Sequence, residues 1–348
     1  MWSTRSSTRG SASSSRFEQP ARRRPAIDAS GHAQVQTRLG PQVRLEQGVA
    51  APATAEAQAL PRGLPARRAS LWRDALERLA RNRLAMAGLA VILGFACVAL
   101  VAPLIAPYDY RTQLWDHIAE PPSRQFPMGT DLNGRDMLSR MIYGARISMT
   151  VGLVAQLIVV LIGVPVGAIA GYYGGRLDTL IMRVVDVMSA FPTLLFVILI
   201  MTMLGRGLFN IFIAIGLIGW VTLARLVRGQ LLSIREKEFV LAARAIGAPT
   251  GRIILRHLLP NALTPIIVAV TFGVPHAIFT EAALSFVGVG INPPTPSWGQ
   301  MVGEYQQYIR ASWHMSLFPA TAIGLLMLAF TFFGDGLRDA LDPRMKRA

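Results

Sequence analysis

The chain has 348 residues, of which 52% are hydrophobic and 16% charged, and its formal net charge is +15. Its apolar residues gather in six runs, each near the roughly 20 residues that a helix needs to cross a hydrocarbon core, and buried helices of a soluble enzyme rarely stay uncharged for so long. The charge is almost all arginine and follows the gaps between those runs rather than forming the folded basic patch of a nucleic-acid module, so no nucleic-acid partner is expected.

Residues 1–69 are rich in Arg, Ser, Ala, Gln and Pro, without a sustained period. Such a composition cannot bury a core, and a disordered basic extension that rests against anionic lipid is expected. Residues 70–83, SLWRDALERLARNR, place Leu71, Trp72, Ala75 and Leu79 on one side of a helix and charges on the other, the pattern of an interfacial amphipathic helix. The first span is expected over 84–107, as a retained anchor rather than a cleaved signal. It holds the only cysteine, Cys97, so no disulfide forms within the chain. The five histidines show no i, i+4 pairing of the kind that builds a local zinc site.

A loop follows, then FPMGTDLNGRDMLSRMIYGARISM at 126–149, where Asp131 and Asp136 are placed to pair with Arg135 or Arg140. The further spans are expected over 148–171, 183–204, 208–228, 262–289 and 316–335. The second carries Gly163, Gly167 and Gly171 at intervals of four, a spacing that lets helices approach closely. Pro192 is expected to kink the third. Basic residues concentrate in the tail, at Arg176 and Arg183, through 233–261, and at Arg338, Arg344, Lys346 and Arg347. The positive-inside rule places those segments and both termini in the cytoplasm.

The segment from Ser233 to Asn261 interrupts the apolar runs with charge and two short helical patterns. Ser233 and Glu236 have the spacing of a capping box. Phe239, Ala242, Ala243 and Ile246 recur at i, i+3, i+4, i+7, and Gly247 with Pro249 supplies a left-handed stop. A second short helix is expected from Arg252 to Leu259, ending against Pro260. This polar hairpin reads as a cytoplasmic docking platform.

Ionisable groups inside spans are functional candidates by default. Glu281 is the strongest, with His276 five residues earlier, and Pro275 and Trp298 are further candidates for the solute pathway or its gating. A proton- or ion-coupled carrier acting alone would use such groups, but matching interrupted half-sequences are missing from the sequence. A phosphate-binding loop needs G-x-x-x-x-G-K-[ST], and neither lysine, Lys237 or Lys346, has that context. If ATP drives this chain, another chain must hydrolyse it, so no enzyme activity and no cofactor or metal is expected here.

LAARAIGAPTGRIILRHLLPN, 241–261, resembles the coupling loop of bacterial ABC importer permeases, in which Glu-Ala-Ala is followed by Gly and, after a fixed gap, Leu-Pro. Ala242, Ala243, Gly247, Leu259 and Pro260 match; Leu241 stands where the family has the acid, and Glu238 lies one turn earlier. MGTDLNGRDMLSRMIYGARISM, DTLIMRVVDVMSAFPTLL, EAALSFVGVGINPPTPSWGQM and FFGDGLRDALDPR are similar to the peptide/nickel type, C-type subunit, from about residue 80 onward.

The resemblance implies an all-α, six-span permease subunit of the bacterial inner membrane, its transmembrane domain spanning 84–348. It implies a homologous B-type permease beside it, two cytoplasmic ATPase subunits below, and a periplasmic or lipid-anchored solute-binding protein above. Di- or oligopeptides are the implied solutes, with nickel, glutathione or an oligosaccharide as family alternatives. Glu238, Leu241, Ala242, Ala243, Gly247, Leu259 and Pro260 are the implied ATPase-coupling residues. Small side chains would seat the short helix deep in an ATPase groove.

Overall fold

The computed structural model describes residues 71–342. The basic tail at 1–69, Ser70, and the terminal charges Arg344, Lys346 and Arg347 lie outside the described residues. Within them, the regular structure is helical throughout.

Helix α1 (Leu71–Arg81) stops at Asn82, whose side chain accepts from the Ala85 N–H and so caps α2 (Arg83–Ile105). Leu79 of α1 packs with Ala85, Phe333, Leu337 and Ala340, so part of its apolar face is used within the chain. A long non-helical segment leads to α3 (Met137–Tyr173), which starts well before the expected span because Asp136 caps it. Its carboxylate accepts from the Ser139 N–H at 2.8 Å and the Ser139 hydroxyl at 2.6 Å.

Among the described residues, five helices are long and apolar enough to cross a membrane: α2, α3, α6 (Leu208–Ile234), α8 (Thr250–Phe286) and the last, His314–Leu341. The third expected span is not continuous. It divides into α4 (Gly175–Ser189) and α5 (Thr193–Leu204), bent by 86°. Pro192 lacks an N–H and disfavours helix in the residue before it, which separates the two pieces. The amphipathic piece α4 is tied to α6 instead: Asp178 receives two bonds from the Arg228 guanidinium, and Asp186 lies 3.4 Å from Arg225. At 12 residues, α5 is about 18 Å long and cannot span alone.

The glycine spacing in α3 faces α6. A Cβ on Gly163, Gly167 or Gly171 would fall 3.0, 2.4 or 2.8 Å from the carbonyl oxygens of Trp220, Ala224 and Arg228. Two parallel backbones thus run in contact over about two turns. Lipid offers no hydrophobic gain for pairing helices, so this fit is what holds them together.

At one end of the bundle, α9 (Trp298–Tyr305) and α10 (His314–Leu341) close over the segment before α3. Asp131 is fully buried there, 3.6 Å from Arg140 and 3.9 Å from Arg135, and Arg140 lies 3.5 Å from Glu304. The Tyr305 hydroxyl donates to Asp131 at 2.9 Å, and burial pushes its pKa up, so it remains a donor at any ordinary pH. These are structural ion pairs, as the spacing of Asp131, Arg135 and Arg140 suggests.

Candidate functional site

At the opposite end of the bundle, α6 continues in helix to Ile234 because Leu231 and Ile234 still face an apolar cluster. Ser233 therefore sits in the last turn of a helix, and the expected capping box with Glu236 does not form. Helix α7 (Glu238–Ala245) starts after Lys237 without a side-chain cap. Arg235 is the anchor at this corner, donating to the Gly171 and Tyr172 carbonyls at 3.3 and 3.4 Å, where α3 ends. The Arg244 guanidinium lies 5.1 Å above the Tyr172 ring and holds α7 to the same place.

Gly247 has φ +75°, the left-handed stop that the sequence implies. Beyond it the chain departs from expectation. The second short helix does not end against Pro260 but runs on as α8, through a π-helical turn at Ile253–Leu258. The Leu259 N–H donates to the Ile254 carbonyl five residues back. A proline ring collides with the carbonyl four residues earlier in a regular helix; the widened turn moves that carbonyl aside.

The eight residues of α7 divide between two faces. Val240 and Ala243 turn home, packing with Leu231, Ile253 and Leu258. Phe239, Leu241, Ala242 and Ile246 are exposed, Ile246 to 85%. The small-residue face is therefore split: Ala242 looks outward and Ala243, at 6% exposure, is part of the seat. Leu255 on the π turn is 70% exposed, and Arg252 and Arg256 are exposed beside it. Glu238 is also exposed and makes no ion pair among the described residues. Leu259 is half-buried against the cluster and Pro260 exposed. The result is a ridge of apolar side chains flanked by arginines, mounted on a packed base. The seat formed by Arg235, Tyr172 and Arg244 is not legible in the sequence, since it joins residues more than sixty positions apart.

Glu281, Pro275 and Trp298 are all buried in the chain itself. Glu281 accepts from the hydroxyls of Ser285 and Ser297, both at 2.7 Å, which ties the end of α8 to the cap of α9. The Trp298 indole donates to the Met141 carbonyl at 3.1 Å and meets Phe95 edge-on at 5.1 Å. Among the described residues, no group of His, Cys, Asp and Glu is arranged to hold a metal.

Residues 163–347 match the family described as binding-protein-dependent transport system inner membrane component, and residues 70–122 match the N-terminal TM domain of oligopeptide transport permease C. The chain is 44% identical over 278 residues to the oligopeptide transport system permease protein OppC of Bacillus subtilis, covering 80% of this chain and 91% of that protein. It is 47% identical to the dipeptide transport system permease protein DppC of the same organism, over 80% of this chain and 87% of the other. The glutathione transport system permease protein GsiD of Pectobacterium atrosepticum is 38% identical, over 79% and 92% respectively. In fold, a chain of the inward-facing MetNI methionine ABC transporter superposes with a TM-score of 0.51 at 21% identity, over 59% of this chain and 98% of that one.

Proposed function

Given that this chain belongs to the binding-protein-dependent transport system inner membrane components, the multi-pass membrane subunits of ABC importers, which work with separate ATPase subunits, we propose that it is the C-type subunit of a peptide importer. Its partners are then a homologous B-type permease, two ATPase subunits on the α7 face, and a solute-binding protein on the face of α9. Peptides are the proposed solutes because the OppC and DppC relatives carry those names over nearly their full length.

The observation that carries the reading is the outward ridge of α7. Among the described residues, Phe239, Leu241 and Ile246 are large, apolar and exposed, while Val240 and Ala243 beneath them are packed in the core. The adjacent Arg252 and Arg256 suit a partner groove with an acidic rim. Closure of the ATPase pair would move α7 as a rigid unit. Because α8 continues from the same loop without a break in helix, that motion would pass into the bundle.

Co-expression tests this directly. The purified chain should carry an ATPase subunit with it, and peptide uptake into proteoliposomes should stop when the phosphate-loop lysine of that ATPase is replaced. Uptake that survives the replacement would sink the ABC reading and return the chain to the class of ion-coupled carriers.

A further inference from the structure

Between α3, the start of α5, α6 and α8 lies a cavity of about 410 Å³, within the size range of small-molecule sites of roughly 300–1,000 Å³. Its wall is largely apolar, with Gln156, Thr193, Thr222 and His276 as the polar side chains. No Asp, Glu, Lys or Arg lines it.

Polar groups within a span have no water to satisfy them, and a threonine on a helix ordinarily turns its hydroxyl back to a carbonyl four residues earlier. Thr271, Thr280 and Thr331 do so, at 2.9, 2.8 and 2.9 Å. Among the described residues, neither Thr222, in the middle of α6, nor Thr193 makes such a bond, and both hydroxyl-bearing side chains are exposed at the cavity. Among the described residues, none forms a hydrogen bond with the Gln156 carboxamide or the His276 ring. Gln156 is only 7% exposed as a residue, and its carboxamide lines the cavity. It lies flat on the backbone of α8, where a Cβ on Gly273 would fall 2.1 Å from its Oε1. Gly273 thus makes the space that the carboxamide occupies, one turn from His276.

We infer that this cavity is a solute station in the permease, which binds the neutral amide linkage of a peptide, with Gln156 as its central contact. A carboxamide offers both a donor and an acceptor, which match the C=O and N–H of one peptide unit; the hydroxyls and the imidazole extend the same uncharged chemistry. With no counter-ion in the wall, the station would not hold the terminal ammonium or carboxylate. It would recognise what all peptides share and ignore what distinguishes them, leaving selection to another component. The inference rests on the reading of the chain as a peptide permease.

The test uses the assembled transporter in proteoliposomes, supplied with its binding protein and dialanine. Gln156→Leu should lower the uptake rate about tenfold, the loss expected when one hydrogen bond to the passing solute is removed, whereas Gln156→Asn should keep at least half of it. In a Cys97→Ala background, a His276→Cys variant should react with a small maleimide more slowly when dialanine is present during turnover. Co-purification of the ATPase checks that each variant assembles. Equal uptake by Gln156→Leu and the unmodified transporter, or labelling of the His276→Cys variant indifferent to peptide, would overturn the inference while leaving the peptide reading intact. No uptake of dialanine or of longer alanine peptides by the unmodified transporter would overturn both.

Discussion

Ala243 on α7 and Ile246 just past its end stand three residues apart, yet the same substitution should fail in two different ways. Ala243 is enclosed by Val240, Leu231, Ile253 and Leu258, so Ala243→Glu would bury a carboxylate with no partner. That costs several kcal/mol, enough to unfold this corner. Ile246 faces solvent, and Ile246→Glu removes nothing from the chain's own interior. The expected outcome is a sharp fall in membrane-inserted protein for Ala243→Glu, measured by immunoblot and size-exclusion profile. For Ile246→Glu, abundance should be normal and recovery of the ATPase reduced at least tenfold, a loss of about 1.4 kcal/mol of binding. Normal recovery of the ATPase with Ile246→Glu would remove the exposed ridge from the interface. Gly247 was legible from its place before Ala-Pro, because a left-handed stop is a local requirement. The separation of Ala242 from Ala243 was not, since the home face of so short a helix is chosen by Leu231 and Leu258, which belong to other helices.

At the scale of elements, the contact between α3 and α6 depends on hydrogen atoms where side chains would otherwise stand. A methyl group at Gly167 would meet the Ala224 carbonyl at 2.4 Å, and both sides of that contact are helical backbone. Gly167→Ala should therefore destabilise the purified transporter by about 1–3 kcal/mol, despite alanine's better helix propensity of about 1 kcal/mol. Gly229→Ala, on α6 with nothing within 4 Å, should be neutral or slightly stabilising. Thermal unfolding in detergent separates the two, and equal melting temperatures would show that the close contact does not limit stability. The interval of four residues told that α3 would approach some helix closely; it could not say which. The prolines were harder to read. Pro192 breaks its span by 86°, while Pro260 is passed by a π turn and α8 continues. Both look alike in sequence, and the difference lies in whether neighbouring packing keeps the chain straight.

For the whole molecule, the two ends of the bundle differ in charge. Residues 174–189 and 225–261, which gather around α4, the end of α6 and α7, hold nine basic and four acidic residues. At the other end, residues 106–147 carry five of each sign, and residues 287–313 one of each. Several of those charges are internally matched, with Asp131, Arg135, Arg140 and Glu304 in one network. The buried arginines of this end, Arg135 and Arg140, thus answer to carboxylates beside them. An excess of unmatched Arg and Lys marks the cytoplasmic side, so the α7 end should face inward, together with α1 and the end of α10 that packs on it. Cysteine labelling provides the check. In a Cys97→Ala background, Arg124→Cys should react with a membrane-impermeant maleimide once the outer face of the membrane is accessible, and Lys237→Cys only after the membrane is opened; both positions are exposed in the fold. The opposite order would invert the molecule. It would place the α7 ridge beyond the reach of any cytoplasmic ATPase, and the coupling role of that ridge would fall with it.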